Sequence, residues 1–130
     1  MIRLKKIMTE VNVAKSIEDE LNAEYPSKDP KGIVVELWPI SYKKDFVELA
    51  ALYIPKDLRK RGIGTEIMNR ITQYADKNHL IIGATPSKDF GASSVDRIRK
   101  FNKRFGFVRN MGRNADYTIS NTMYRLPHSA

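Results

Sequence analysis

The chain has 130 residues, of which 42% are hydrophobic and 29% are charged, and its formal net charge is +8. This length and composition predict one globular domain with an apolar core and exclude a disordered chain. The absence of cysteine excludes disulfides, thiolate catalysis and cysteine-ligated metal sites, and it favours a cytoplasmic protein. The N-terminus does not resemble a signal peptide, and no apolar run is long enough to cross a bilayer, so we expect no membrane contact.

The first predicted element is an amphipathic helix over Thr9–Tyr25. Its apolar residues Val13, Ile17 and Leu21 recur at i, i+4 and i+8, whereas acidic residues occupy other positions. This spacing places the three apolar side chains on one face of the helix, which we expect to pack against the rest of the chain.

A hairpin and a crossover unit are predicted next. Gly32–Pro39 and Phe46–Ile54 are apolar runs that flank a polar turn, as in an antiparallel hairpin. Helical periodicity follows over Ile63–Lys77, and a short apolar strand over Leu80–Ala84. The second strand, the helix and the short strand predict a right-handed parallel crossover.

The C-terminal part is predicted to complete the sheet. Ser93 followed by Asp96 resembles a helix start, and we expect a helix over Ser94–Arg104. Phe107–Val108 and Thr118–Leu126 are predicted to be strands. The predicted fold class is therefore α/β (α+β), with a mixed, mostly antiparallel central sheet and one parallel strand–helix–strand crossover.

No internal repeat, low-complexity run or linker interrupts the sequence. We therefore expect a single domain over residues 1–130. Within it, residues 1–26 would form the N-terminal helix and residues 32–126 the core.

The basic residues are unevenly distributed. Arg97 to Arg113 contains seven Lys or Arg residues and no Asp or Glu. This excess favours a polyanionic partner, such as a phosphorylated cofactor, a nucleic acid or an acidic protein. A solvated basic surface without a partner is the alternative interpretation.

The stretch from Arg59 to Thr65, Arg-Lys-Arg-Gly-Ile-Gly-Thr, has the chemistry of an anion site. It precedes a predicted helix, whose first amides lack intrahelical partners and carry partial positive charge. Glycine lets the backbone approach an anion closely. The stretch matches neither a dinucleotide-binding glycine motif nor a P-loop. It predicts a phosphate-binding turn, with an ordinary basic helix N-terminus as the alternative.

The wider context of this turn resembles a known family. With Leu52-Tyr53-Ile54-Pro55 before it and Phe105-Gly106-Phe107 after it, the pattern Arg59-x-x-Gly62-x-Gly64 resembles the Gcn5-related N-acetyltransferases (the GNAT family). The resemblance spans about Gly32 to Leu126. It implies acetyl-CoA as co-substrate and a GNAT-like fold. Only one helix precedes the hairpin, so the fold would be truncated at its N-terminal end, as in short phage and mobile-element members, with an open acceptor groove.

The resemblance implies where the cofactor binds. In the family, the turn and the helix after it hold the coenzyme A pyrophosphate, and the preceding strand pairs with the pantetheine arm. The family's pantetheine-contacting asparagine is Val95 here, and Ser93 or Ser94 could replace it. The expected cofactor-binding residues are Leu52, Ile54, Arg59, Arg61, Gly62, Ile63, Gly64, Thr65 and Ser94, and no metal site is expected.

The resemblance also implies catalytic residues. Glu48 occupies the position of the general-base glutamate of histone-acetylating members, although a carboxylate on a solvated sheet face is the alternative. Many members have a tyrosine that protonates the leaving thiolate, and this chain has Asn102 there. An amide donates a hydrogen bond but releases no proton at neutral pH. Tyr117 or Tyr124 could substitute for the tyrosine.

Two functions follow from these observations. The first is an acetyl-CoA-dependent N-acetyltransferase that transfers acetyl directly to a primary amine, expected on a protein or peptide; the amine of a charged tRNA is a narrower possibility. The second is a catalytically weakened coenzyme A-binding module of the same fold, whose Arg97–Arg113 stretch binds nucleic acid or an acidic protein. A homodimer could form through the hairpin edge or the N-terminal helix.

Overall fold

The computed structural model describes residues 2–39 (with side chains from Glu10 onward), 45–86 and 95–128. These ranges contain helices α1 (Ile2–Glu24), α2 (Ile63–Lys77) and α3 (Val95–Lys103), and strands β1 (Val34–Pro39), β2 (Phe46–Tyr53), β3 (Ile81–Ala84), β4 (Val108–Arg109) and β5 (Met123–Arg125). Short 3-10 turns cover Lys56–Leu58 and Gly112–Asn114.

The strands form one mixed sheet in the order β1-β2-β3-β5-β4. The neighbours β2 and β3 are parallel and are connected through α2, whereas β1–β2, β3–β5 and β4–β5 are antiparallel. The predicted fold class, a mostly antiparallel mixed sheet with one parallel crossover, is therefore confirmed.

The main core lies between the helices and one face of the sheet, here called the helix-covered face. Burying one Leu or Ile side chain in such a core contributes about 1.5–3 kcal/mol. Its buried residues on α1, α2 and four strands include Ala14, Ile17, Leu21, Val35, Leu37, Val47, Ile63, Ile67, Met68, Ile71, Ile82 and Met123. The predicted apolar residues of α1 belong to it, with Val13 at its margin.

The opposite side of the sheet, here called the second face, carries Glu36, Trp38, Phe46, Glu48 and Tyr124. Near strands β3 and β5 this face is covered by a smaller cluster, in which Phe46 and Tyr124 pack with Ile119 of the β4–β5 connection. On β1 the alternation is regular, since residues 35 and 37 are buried against the helices while Glu36 and Trp38 are exposed.

Two predicted boundaries are wrong by more than a couple of residues. The first helix begins at Ile2 instead of Thr9, because no Gly or Pro interrupts residues 2–24 and the chain has no reason to start its helix later. The strand predicted over Thr118–Leu126 is limited to β5. Before it, the Asn110 amide nitrogen donates to the carbonyls of residues 116, 119 and 121, and these side-chain hydrogen bonds replace a strand ladder.

The free edge of β1 is partly occupied by α1. The Asn22 side chain accepts from the Ile33 N–H at 2.8 Å and donates to the Ile33 carbonyl at 3.0 Å. A Glu18 oxygen accepts from the Val35 N–H at 3.1 Å. Covering edge groups in this way hinders pairing with another chain. The homodimer remains a prediction, and this part of the edge does not favour it.

A buried arginine joins the end of the chain to two other segments. Arg125, whose side chain is 4% exposed, binds both carboxylate oxygens of Asp76 on α2, at 2.7 and 3.0 Å. Its Nε donates to the Phe105 carbonyl at 2.6 Å, in the turn after α3. The Arg125 guanidinium holds the pKa of Asp76 below its usual value. This residue therefore fixes β5, α2 and α3 relative to one another.

Asp76→Asn is expected to lower the free energy of unfolding by about 3–5 kcal/mol near neutral pH, because the Arg125 guanidinium stays buried without a charged partner. The lowered pKa means that the carboxylate stabilises the fold above its unfolded-state pKa of about 3.9. That stabilisation is lost as the pH falls through the folded-state pKa. Urea unfolding of the unmodified protein and of Asp76→Asn at decreasing pH measures this effect. The difference between their free energies of unfolding should shrink below about pH 4.

Glu20→Gln is a suitable control for this experiment. Glu20 pairs with Arg70 at 2.6 Å, but both side chains are exposed. Exposed pairs contribute about 0–1 kcal/mol. A loss of stability in Glu20→Gln as large as that in Asp76→Asn, or an Asp76→Asn effect that does not vary with pH, would contradict the role given to Asp76.

Candidate active site

A groove opens where β2 and β3 separate. Their parallel ladder ends at the pair Leu49–Ala84, and Pro86, which has no N–H to donate, follows shortly after β3. The groove has a volume of about 930 Å³, within the range of small-molecule sites. Its lining comes from β2, the turn before α2, the end of β3 and α3: Leu49, Ala50, Ala51, Leu52, Ile54, Lys56, Arg59, Lys60, Gly64, Ala84, Thr85, Pro86, Arg97, Ile98, Phe101 and Asn102.

A β-bulge shapes the groove wall formed by β2. Glu36 pairs with Ala51 and Leu37 with Leu49, so Ala50 has no partner on β1. Such a bulge leaves the extra residue outside the ladder and bends the strand. Beyond it, the β2 backbone groups that point away from β1 have no partner strand among the described residues, so an extended ligand can pair with them. The predicted residues Leu52 and Ile54 lie on this stretch and line the groove.

The turn before α2, predicted to bind phosphate, leaves the first amides of the helix outside its hydrogen-bond ladder. Gly62, the N-cap, has φ 77°, and no side chain caps the helix. The helical bonds start with the Glu66 N–H, which donates to the Gly62 carbonyl at 3.0 Å. The amides of residues 63–65 therefore precede the helical ladder. Lys60 also has a left-handed φ of 66°, which few residues other than glycine adopt.

The two glycines of the motif have different roles. A Cβ at Gly64 would lie 3.3 Å from both Ile54 Cδ1 and Phe101 Cζ, so α2 approaches β2 and α3 only because this residue has no side chain. A Cβ at Gly62 would meet no atom within 4 Å, and this position needs glycine for its left-handed φ instead. One glycine keeps the groove open and the other orients the amides.

Four cations line the groove: Lys56, Arg59, Lys60 and Arg97. Arg59 is held in place because its Nε donates to the Ile54 carbonyl at 3.1 Å. The sequence predicts only Arg59 as a site residue. Lys60 lies in the predicted turn, so a search for cations near the motif would have found it, whereas Arg97 lies in the distant basic stretch and reaches the groove only through the fold.

The remaining predicted cofactor residues are placed as follows. Arg61 is exposed and does not line the groove, and neither does Gly62. The Ile63 side chain is buried in the main core and Thr65 is half-buried, and neither residue lines the groove, so their role in binding remains a prediction that rests on their backbone amides. Ser94, the expected substitute for the pantetheine contact, lies outside the described residues.

Asn102 is the predicted catalytic residue that lines the groove. It is 4% exposed, and its Nδ2 lies 3.9 Å from the Met123 sulfur. The alternative tyrosines lie elsewhere. The Tyr124 hydroxyl donates to the Asn114 carbonyl, and Tyr117 is 97% exposed on the β4–β5 connection. Asn102 is therefore the polar side chain that the groove offers at this position.

Glu48 lies beside the point where the strands separate. It is paired with Gly83 on β3 and with Trp38 on β1, directly before the terminal pair Leu49–Ala84. Its side chain is half-buried on the second face and makes no hydrogen bond or ion pair within the described part of the chain. The groove and Glu48 thus approach the same gap from opposite faces of the sheet.

Two other kinds of site receive no support from the structure. Among the described residues, no three acidic or histidine side chains are grouped so that they could hold a metal ion. None of the described helices combines the length and the apolarity that a bilayer-spanning segment requires.

Comparison with known proteins identifies the family. The model of the acetyltransferase (GNAT) family matches residues 25–107, which include β1 to α3 and the whole groove. Among solved structures, the crystal structure of Tetrahymena GCN5 is similar, with a TM-score of 0.48 and 17% sequence identity over 95% of this chain and 89% of that chain. No curated protein sequence matches. The family model covers well over half of the sequence, and the chain belongs to the GNAT acetyltransferase family.

Proposed function

We propose that this protein is an acetyl-CoA-dependent N-acetyltransferase that transfers acetyl directly to a primary amine on a protein or peptide. The observation that carries the proposal is the gap after Leu49 and Ala84, which joins a cation-lined groove on one face to Glu48 on the other. Coenzyme A supplies the acetyl group as a thioester, and no protein nucleophile is needed. The chain has no cysteine for a covalent route through a thiol.

The groove fits coenzyme A in shape and charge. Its apolar wall on β2, from Leu49 to Ile54, suits the pantetheine arm, and the unpaired β2 backbone can bond to the amides of that arm. The amides of residues 63–65 and the cations Arg59 and Lys60 suit the pyrophosphate. Lys56 and Arg97 add positive charge for the remaining phosphate.

Glu48 would act on the acceptor amine. A lysine amine with a pKa of about 10.4 is protonated near pH 7, and forming its neutral state costs roughly 4–5 kcal/mol. A base within reach of the amine, directly or through one water molecule, removes this proton during the reaction. Glu48 lies at the gap on the face opposite the groove, and no described side chain competes for its oxygens.

Transfer then needs no acid residue. The amine nitrogen bonds to the acetyl carbonyl carbon while the carbon–sulfur bond breaks, Glu48 holds the amine proton, and the sulfur leaves as thiolate. A thiol with a pKa of about 8.5 leaves in this form near pH 7 at a cost of roughly 2 kcal/mol. A hydrogen bond from Asn102 to a charged acceptor contributes about 1.5–3 kcal/mol. A backbone amide near Leu52 would stabilise the carbonyl oxygen.

A coenzyme A-binding module without turnover is the second candidate. Asn102 favours it, and so does the exposure of four basic residues on and just after α3, namely Arg97, Lys100, Lys103 and Arg104. For this function we expect salt-sensitive binding of the chain to nucleic acid, with no release of free coenzyme A when acetyl-CoA and amines are mixed with it. Release of coenzyme A above background, together with no nucleic-acid binding at low salt, would exclude this candidate.

Gly62→Ala and Gly112→Ala form a matched pair that tests the anion site. Both glycines are left-handed, with φ 77° and 60°, and a Cβ at either meets no atom within 4 Å. Each substitution is expected to cost about 1–2 kcal/mol of stability. Only Gly62→Ala should also weaken coenzyme A binding, because relaxation of its φ redirects the first amides of α2. Calorimetric titration with coenzyme A and the ligand-induced shift in Tm measure both effects.

Two outcomes of this experiment would contradict the proposal. Equal coenzyme A affinity in the two variants would mean that the conformation at Gly62 does not contribute to binding. If saturating coenzyme A does not shift the Tm of the unmodified protein, coenzyme A is excluded as its ligand, since a ligand that binds only the folded state must stabilise that state.

Glu48→Gln tests the general base. The substitution is expected to lower kcat/KM for the amine by about 10²–10⁴-fold near neutral pH, because a positioned base contributes this much. The loss should become smaller at high pH, where more of the amine is already neutral. A pH–rate profile of both proteins measures this, and an unchanged profile would exclude Glu48. The control is the coenzyme A-induced shift in Tm, which should be the same in the variant.

A further inference from the structure

Trp38 is an exposed indole in a fixed position next to the gap. Its side chain is 46% exposed on the second face, and its Nε1 donates to Glu36 at 3.3 Å. A large aromatic side chain that is exposed and held by a hydrogen bond can bind a partner with little loss of side-chain entropy. This residue is also the single tryptophan of the chain.

The surroundings of this indole favour a cation. Trp38 is paired directly with Glu48 on β2, so the two side chains lie on one face with Cβ atoms about 4.5–5.5 Å apart. Glu36 lies two residues earlier on β1 and therefore points to the same face. The aromatic ring attracts an ammonium group through its negative face, and the two neighbouring carboxylates attract the same group through their charge. The same ring face and carboxylates repel an anion.

The same face already holds an ammonium in this way. The Lys31 Nζ lies 5.0 Å from the centroid of the Tyr53 ring, and the Tyr53 hydroxyl donates to Asp29 at 2.6 Å. Tyr53 is paired with Val34 at the other end of the hairpin. Tyr53, Asp29 and Lys31 thus bring an aromatic ring, a carboxylate and an ammonium group together on this face. Trp38 offers the ring and the carboxylates without a described lysine over it.

We propose that Trp38 and Glu36 form the subsite that receives the acceptor, a lysine side chain within a cationic peptide, and deliver its amine to Glu48. This proposal rests on the function proposed above. Trp38 is a specificity-determining residue in it, not a catalytic one. Acetylation removes the charge of the lysine, so the product loses its attraction to the indole and the carboxylates and is released.

A peptide fits this subsite better than a free amine because the subsite has two carboxylates instead of one. Glu36 and Glu48 are diagonal neighbours on the hairpin, about 7–8 Å apart, which is too far for one ammonium group to contact both closely. Glu36 and Glu48 lie on different strands and can meet different cations. The negative charges of this face contrast with the net charge of +8, so a basic peptide is directed here and away from the cation-lined groove.

Because Trp38 is the single tryptophan, its fluorescence reports on this subsite without acetyl-CoA and without activity. The probe is a blocked peptide of alternating lysine and glycine, and the controls are the same peptide with acetyl-lysine or with glutamate. We expect a saturable change in emission with the lysine peptide alone, weakened by added salt. No change with the lysine peptide, or an equal change with the glutamate peptide, would overturn the proposal.

Kinetics with the same peptide separate this subsite from the proposed function. Trp38→Ala is expected to raise KM for the peptide about tenfold, while Trp38→Phe retains most of the affinity. KM for acetyl-CoA and kcat should stay within about twofold, because the indole lies across the sheet from the groove. Glu36→Gln should also raise KM for the peptide. Glu24→Gln, on α1, makes the same change in charge away from this face and should not.

These experiments distinguish failure of the proposed subsite from failure of the proposed function. If the protein binds the peptide through Trp38 but transfers no acetyl group, the subsite holds and the proposed function fails. If the protein acetylates the peptide and Trp38→Ala leaves its KM unchanged, the proposed function holds and the subsite is wrong.

Discussion

The separation of β2 from β3 after Leu49 and Ala84 is the constraint on which the site depends. In the part of the chain that the structure describes, four residue pairs hold these strands together, and the second half of β2 has no partner there on that side. Pro86 cannot donate a hydrogen bond to extend the ladder, and the bulge at Ala50 bends β2 at the same level. A continuous ladder would close the groove and remove the gap beside Glu48.

The sheet separates two regions of opposite charge. The groove side carries four cations, whereas the second face of the hairpin carries Glu36 and Glu48 next to Trp38. The proposed acetyl transfer to an amine joins an anionic donor to a cationic acceptor, so each substrate would be attracted to its own side and repelled from the other. The gap between the strands is the place where their reactive ends can meet. The net charge of the chain alone does not show this arrangement.

Local signals in the sequence predict part of this structure and miss the rest. Helix α2 has the bounds that its periodicity predicts, and Leu52, Ile54, Arg59 and Gly64 line the groove as the motif implies. Lys56 lies just before the motif in the sequence. Arg97, on α3, joins the groove through the packing of a distant segment, which no local pattern records. The same holds for the pair of Asp76 and Arg125, 49 residues apart. Strand β5 is shorter than its apolar pattern because side-chain hydrogen bonds before it replace the ladder.

In the proposed reaction, Asn102 would decide how far the groove stabilises the leaving thiolate. Its amide N–H faces the Met123 sulfur at 3.9 Å, and a thioether is a weak acceptor. Exchanging this neighbour for a developing thiolate replaces a weak hydrogen bond with a charge-assisted one, which is about twice as strong as a neutral one. The gain appears only as the carbon–sulfur bond breaks, and stabilisation confined to that stage lowers the barrier instead of tightening substrate binding. A buried amide therefore suits the departure of a thiolate, although it gives no proton to it.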